Sequence, residues 1–263
     1  VAAYGTGAPP VIDAVYDYYG VSIRGSHIVI GDLRVANARG AAFHLEDGSS
    51  HILLRDCSLL STIYVDTPTG ILFGEGVFSD ITAQRMKLGG CKDSGLLLGA
   101  GTRINGLTLD DVCADSACFG FHAERAELAC LLIQNSTFNH SLNSGIRIDR
   151  ALISDLELRN IEASHNRVNG VYLNGGLSRV RISGSAIDDN GGHGLNIDTV
   201  EAEDIAIEKC RLTGSHNKRN GFALDGRGRN CRITDTTASR NNGDGFNVHG
   251  SWKDVLLERC VAE

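Results

Sequence analysis

No stretch of the 263-residue sequence approaches the roughly 20 consecutive apolar residues a membrane helix needs, so no transmembrane span is expected. Nor does any segment hold a 3.6-residue apolar period long enough for a substantial helix. The eight cysteines (Cys57, Cys91, Cys113, Cys118, Cys130, Cys210, Cys231, Cys260) lack paired Cys-x-x-Cys spacing, which argues against a structural zinc site. Most are expected to be reduced and buried, with Cys113 and Cys118 the one pair worth considering for a bridge. Proline, tryptophan and methionine are nearly missing, at 3, 1 and 1 residues. What remains is Ile, Leu, Val and Ala among 32 glycines, the composition of β-strands joined by tight turns. Positive charge is in deficit: the net charge is -7 and the pI about 5.7, a field that disfavours nucleic acid and anionic membrane surfaces. A polyanionic ligand would need local arginines or a bridging cation. No secretory signal is read within the given residues. The chain opens inside a strand-like phrase, Val1 to Tyr4, and stops in another, Cys260 to Glu263, as expected of a piece of a longer chain.

One phrase recurs: a glycine, an apolar residue, a variable residue, an apolar residue. It begins at Gly70, Gly95, Gly120, Gly145, Gly170, Gly194, Gly221 and Gly245, with spacings of 25, 25, 25, 25, 24, 27 and 24, and Gly40 reads as a looser first copy. Each coil adds a second alternating run, such as Leu156-Glu157-Leu158, and a short third, such as Ile161-Glu162-Ala163. Three period-2 strands per repeat predict an all-β, right-handed parallel β-helix, a solenoid of about nine to ten coils of roughly 25 residues with three parallel sheets. The whole chain, 1–263, reads as one such domain. The Leu and Asn phrase of leucine-rich repeats is absent. Asn166, Asn190, Asn217 and Asn241, four residues before successive glycines, predict a stacked ladder. Cys57, Asn135, Asn160, Cys210 and Cys260 read as one shared bend position, and His140, His165 and His216 as part of the polar turn beside the ladder.

Residues one and three past each glycine are apolar and must face inward, so those two and four past face out. Two past, the column reads Ala42, Leu72, Leu97, His122, Arg147, Tyr172, Asn196, Ala223 and Asn247. Four past, it reads His44, Gly74, Gly99, Glu124, Asp149, Asn174, Asp198, Asp225 and His249. The early coils are bland, and from Gly120 onward the face fills with His, Arg, Tyr, Asn and carboxylates. At about 4.8 Å per coil, His122, Arg147 and Tyr172 should form a line roughly 10 Å long. They are the expected catalytic group, with Glu124, Asn174, His193, Asn196, Arg219, Asn247 and His249 as expected substrate-binding residues. The column Asp149, Asp198 and Asp225 would repel itself without a cation, so Ca²⁺ is the expected cofactor, with these three as ligands.

The chain resembles the pectate-lyase-like β-helix superfamily, which includes polysaccharide lyases, mannuronan C5-epimerases and phage tailspikes. The resemblance covers nearly all of the chain and begins at the phrase Ala3 to Ile12. It is closest to the epimerases, whose active-site strand reads GYGFDPHE. Here the matching stretch is Cys118-Phe119-Gly120-Phe121-His122-Ala123-Glu124-Arg125. Phe119 stands where the family has its catalytic Tyr, His122 where it has Asp and Glu124 where it has His, while the family's later arginine falls on Val168, beside Arg167.

Abstraction of the C5 proton of a uronate needs a base, a group to neutralise the carboxylate and an acid for the leaving oxygen. His122 and Tyr172 can supply base and acid, and Arg147 the neutralising charge, which Ca²⁺ could assist. A lyase or C5-epimerase on an acidic polysaccharide is therefore the first expectation. A glycoside hydrolase is the second, because Glu124 with Asp149 and Asp198 with Asp225 are neighbouring-coil carboxylates. A non-catalytic glycan-binding protein, adhesin or tailspike stem is the third. The expected partner is a polysaccharide, the expected assembly a monomer or homotrimer, and the expected location secreted, cell-surface or virion.

Overall fold

The computed structural model describes residues 7–15, 17–60, 69–212 and 219–263. Among these residues the chain holds nineteen strands and no helix, and the strands pair in parallel from coil to coil. The phase set by the glycines places Ile71, Leu96, Phe121, Ile146, Val171, Leu195 and Phe222 in one inward column, each at most 1% exposed. They belong to a single apolar cluster that runs from Ile23 to Ala238, and burying each such side chain is worth about 1.5–3 kcal/mol. The period needs glycine because coils press on one another there. A Cβ at Gly70 would lie 2.4 Å from the Gly95 carbonyl oxygen, and one at Gly95 would lie 2.6 Å from that of Gly120.

The sheets are less separate than three distinct strands per coil predict. In four coils the first and second runs form one long strand: Ile146–Arg159, Val171–Ser183, Leu195–Glu208 and Phe222–Thr234. A register shift between Ile148 and Ala151 marks where the first of these turns its corner. The third run is reduced to single parallel bridges that climb from Cys113 through Thr137, Glu162, Ala186, Arg211 and Thr237 to Val261.

Corners are turned by residues in left-handed backbone, which Asn and Asp tolerate best. Asp56, Arg85, Asp111, Asn135, Asn160, Lys209, Asp235 and Arg259 form one such column, with φ between 50 and 55°. This splits the bend position that joins cysteines and asparagines in the sequence. Asn135 and Asn160 are the left-handed residues, whereas Cys57, Cys210 and Cys260 each stand one residue later. There the thiols turn inward and donate to carbonyls of the preceding coil, Ile30, Ile182 and Ile233. All eight cysteines are free, and the Cys113 thiol lies 3.5 Å from Asp115 Oδ2 rather than on Cys118. Cys57, Cys91, Cys210 and Cys231 are buried, and Cys130 is exposed.

Of the expected asparagine ladder, the link between Asn166 and Asn190 forms. Asn166 Nδ2 donates to Asn190 Oδ1 at 3.1 Å while its own Oδ1 takes the Ser141 N–H at 2.8 Å, and Asn190 Nδ2 reaches the Ala163 carbonyl. Asn241 Nδ2 donates to the Leu212 carbonyl. Asn217 and His216 lie outside the described residues. His140 and His165, both left-handed, stack at 5.1 Å in the turn beside the ladder.

One register differs. Ala41 pairs with Thr69 and Phe43 with Ile71, so His44, not Ala42, is in line with Leu72, and Ala42 takes the place of the repeat glycine. Gly40 is a glycine for another reason: a Cβ there would meet the Tyr18 ring at 2.2 Å.

Candidate functional site

From Leu97 onward the outward column is as the glycine phase predicts. Leu97 pairs with His122, His122 with Arg147, Arg147 with Tyr172, Tyr172 with Asn196, Asn196 with Ala223 and Ala223 with Asn247. The three expected catalytic side chains are therefore on consecutive coils, on strands whose opposite face is fixed in the core.

Their contacts are close. The His122 ring stacks on Phe119, with centroids 4.3 Å apart. Burial first, and then the Arg147 charge, push this imidazole below the ordinary histidine range, which favours the neutral ring. The Arg147 guanidinium carbon lies 5.0 Å from the Tyr172 ring centroid and 6.0 Å from that of Phe119, an arrangement that rings and guanidinium both favour. Its Nη2 donates to Asp149 Oδ2 at 3.1 Å. The Tyr172 hydroxyl donates to Asp198 Oδ2 at 3.2 Å. Burial, then the carboxylates of Asp198 and Asp149, push that phenol up to about 12, so it keeps its proton. The line thus sets an imidazole, a guanidinium and a phenol on three successive coils, with the first shifted toward its neutral form and the last toward keeping its proton.

The surrounding residues divide. Glu124 pairs in register with Asp149, and Arg150 bonds to the first and lies 3.5 Å from the second. Asn174 serves the backbone: its Oδ1 takes the Arg150 N–H and its Nδ2 donates to the Asp198 carbonyl, which staples the register shift. His193 takes the Asn220 N–H on Nδ1, and burial and then Arg219 push it below the ordinary histidine range. Asn196, next to Tyr172 in the column, has a buried Oδ1 without a hydrogen-bond partner. Asn247 and His249 lie on the last coil, apart from the line. Asn247 donates to Asp244, and His249, 83% exposed, approaches Asp225 at 3.7 Å.

Asp149, Asp198 and Asp225 do not fit a Ca²⁺ site as arranged. Arginine holds the first, Tyr172 engages the second, and among the described residues no three His, Cys, Asp or Glu side chains gather to hold a metal ion.

Two contributors go beyond the sequence-based list. Phe119 forms the other wall for His122 and Arg147. Arg150 is left-handed, with φ of 53°, at the point where two successive residues oppose Asn174, and this brings a second guanidinium to the acidic pair. Also unanticipated is a cavity of about 1050 Å³ on the neighbouring face, past the Arg150 corner, lined among others by Arg103, Glu127, Leu152, Gly176, Glu203 and Arg229.

Comparison with known proteins returns the same architecture. The A-module of the Azotobacter vinelandii mannuronan C-5 epimerase AlgE4 matches 97% of this chain with 87% of its own, at a TM-score of 0.53 and 11% identity. The A-module of AlgE6 from the same organism, also a mannuronan C-5 epimerase, matches 97% with 89%, at 0.52 and 14%. At such identities the likeness is one of fold. No curated protein sequence matches the chain. The family model described as right handed beta helix region matches residues 94–262, well over half of the sequence, and the chain belongs to that family.

Proposed function

We propose that this β-helix acts on an acidic polysaccharide as a lyase or C5-epimerase, removing the C5 proton of a uronate at the line His122, Arg147 and Tyr172. The observation that carries the reading is the geometry of that line: an imidazole and a phenol in register on consecutive coils, on either side of a guanidinium that packs against the phenol ring. Arg147 pairs with the uronate carboxylate and stabilises the negative charge that builds on it as the C5–H bond breaks. His122 takes the proton. Tyr172 then supplies a proton. In a lyase it goes to the O4 leaving oxygen as the C4–O4 bond breaks and a C4–C5 double bond forms. In an epimerase it returns to C5 on the opposite face and no bond in the chain is cut. The fold shared with two mannuronan epimerases supports a polysaccharide as the substrate class.

The hydrolase reading is weaker because Glu124 and Asp149 are already engaged by Arg150 and Arg147. The test is a panel of mannuronan, alginate and pectate, each with and without chelator. Formation of an unsaturated product by ultraviolet absorbance, or of the C5 epimer by NMR, is expected, and it should be lost in both His122→Ala and Tyr172→Phe. Reducing ends without ultraviolet gain would replace this reading by hydrolysis. Binding without turnover on every polymer would leave a glycan-binding module.

A further inference from the structure

The corrected register of the first coils puts a second polar cluster on the same outward column. Ser22 pairs with His44, His44 with Leu72, Leu72 with Leu97 and Leu97 with His122. His44 is thus three coil steps from His122, roughly 14 Å at about 4.8 Å per step. Its ring lies face to face on Tyr19, with centroids 3.9 Å apart and planes 14° from parallel, and Tyr18 packs edge-on against Tyr19. Ser22 Oγ is 2.7 Å from Glu46 Oε1 and 3.2 Å from His44 Nδ1. A hydroxyl has one hydrogen, and a carboxylate only accepts. The Ser22 proton therefore goes to Glu46, and Ser22 must accept from Nδ1–H of His44. That chain fixes the tautomer and leaves Nε2 with a bare lone pair.

Nε2 faces Gly74, where a Cβ would stand only 3.3 Å away. Burial lowers the histidine's proton affinity, with Glu46 partly opposing it, which is consistent with the neutral ring. Between His44 and His122 the column holds half-exposed Leu72 and Leu97, flanked by Gly74 and Gly99, and a Cβ at Gly99 would meet nothing within 4 Å. Two hydrogen-bonding clusters are joined by a smooth, uncharged saddle.

We propose that Ser22, His44 and Glu46, braced by Tyr19, form a distal subsite that accepts a sugar hydroxyl of a linear polysaccharide whose reacting unit is at His122. The nearby Glu46 carboxylate disfavours a uronate carboxylate there, so the sugar presents a hydroxyl edge. The column then measures chain length, because only an oligosaccharide long enough to cross the saddle reaches both clusters. The inference rests on the reading of the His122 line as a polysaccharide site.

The test is calorimetric binding of a mannuronan disaccharide and octasaccharide to the full chain. The wild type should bind the octasaccharide more tightly. His44→Ala should weaken the octasaccharide about tenfold, the scale of one net hydrogen bond, leave the disaccharide, too short to cross the saddle, unchanged and keep the wild-type circular dichroism. His44→Gln, which restores an acceptor, should recover part of the loss. If His44→Ala weakens both lengths equally, or neither, the distal subsite is overturned while the His122 reading stands. If the folded wild type binds neither oligosaccharide, both are overturned.

Discussion

Two outward faces meet at the Arg150 corner, and both are rich in charge. Past the corner, in the 1050 Å³ cavity, charges answer one another across coils. Arg103 reaches Glu127 at 3.3 Å, Arg229 reaches Glu203 at 2.6 Å and the Arg227 side chain bonds to the Val200 carbonyl, around Leu152 and Val77 that are 63% and 57% exposed. Before the corner, charges are crowded against aromatic rings and partly withdrawn from water. There an imidazole is pushed down, a phenol pushed up and a guanidinium held between two rings. The face that holds the cavity is therefore not the more reactive one. Exposed pairs that satisfy each other gain little and leave no group poised for proton transfer, whereas perturbed groups on a fixed scaffold do.

The largest expected effect that tests this contrast is on turnover. Arg147→Ala should lower kcat by about a hundred- to a thousandfold, the scale of losing one preorganised charge partner, while Arg229→Ala should leave it unchanged. Steady-state kinetics on the same polymer decide, and equal losses would erase the distinction. Next is Asn190→Ala, which orphans buried ladder partners. It should cost about 1–3 kcal/mol in denaturant unfolding yet leave the rate per folded molecule near wild type, because the ladder lies away from the reactive line. A smaller effect is expected with pH. His122 and His193 have proton affinities below their unfolded values, so the folded state binds fewer protons. Their contribution to stability is complete above about 6.5, the unfolded value, and is lost as the pH falls from there through the lowered folded values. Unfolding free energies measured across that window should fall less steeply in His122→Phe. The smallest effect is Glu203→Gln, for which thermal unfolding should be indistinguishable from wild type.

Much of this was legible in the sequence because the solenoid writes its geometry as a period. At Gly70, Gly95, Gly120, Gly145, Gly170, Gly221 and Gly245 the close packing leaves no room for a Cβ, and each of these glycines sets the phase of its strand. The line His122, Arg147 and Tyr172 follows directly. At Gly40 the same letter has a different cause, room for the Tyr18 ring, so the first coils were phased two residues off and the partners of His44 were hidden. Arg150 was missed because strict alternation has no place for two consecutive outward residues, which the register shift after Ile148 provides. The neighbouring cavity depends on how the corners set one face against the next, and a period along the chain carries no information about that angle. The calcium expectation rests on the carboxylates of one column, whereas the side chains that reach two of them, Arg147 and Arg150 at Asp149 and Tyr172 at Asp198, show only in the folded chain.

The third side of the coils from Cys113 onward, where the strand ladder is reduced to single bridges, bears on how such proteins diversify. From bridge residue to the next core position is nine residues in the coils Ala186 to Leu195 and Thr237 to Phe246, but eleven from Arg211 to Phe222. Phe222 nevertheless pairs in register with both Leu195 and Phe246. Both ends of the longer segment therefore keep their register, and the ladders on the other faces do not feel the added length. Lineages can therefore lengthen or exchange segments along that seam while inheriting the alignment of the reactive column unchanged.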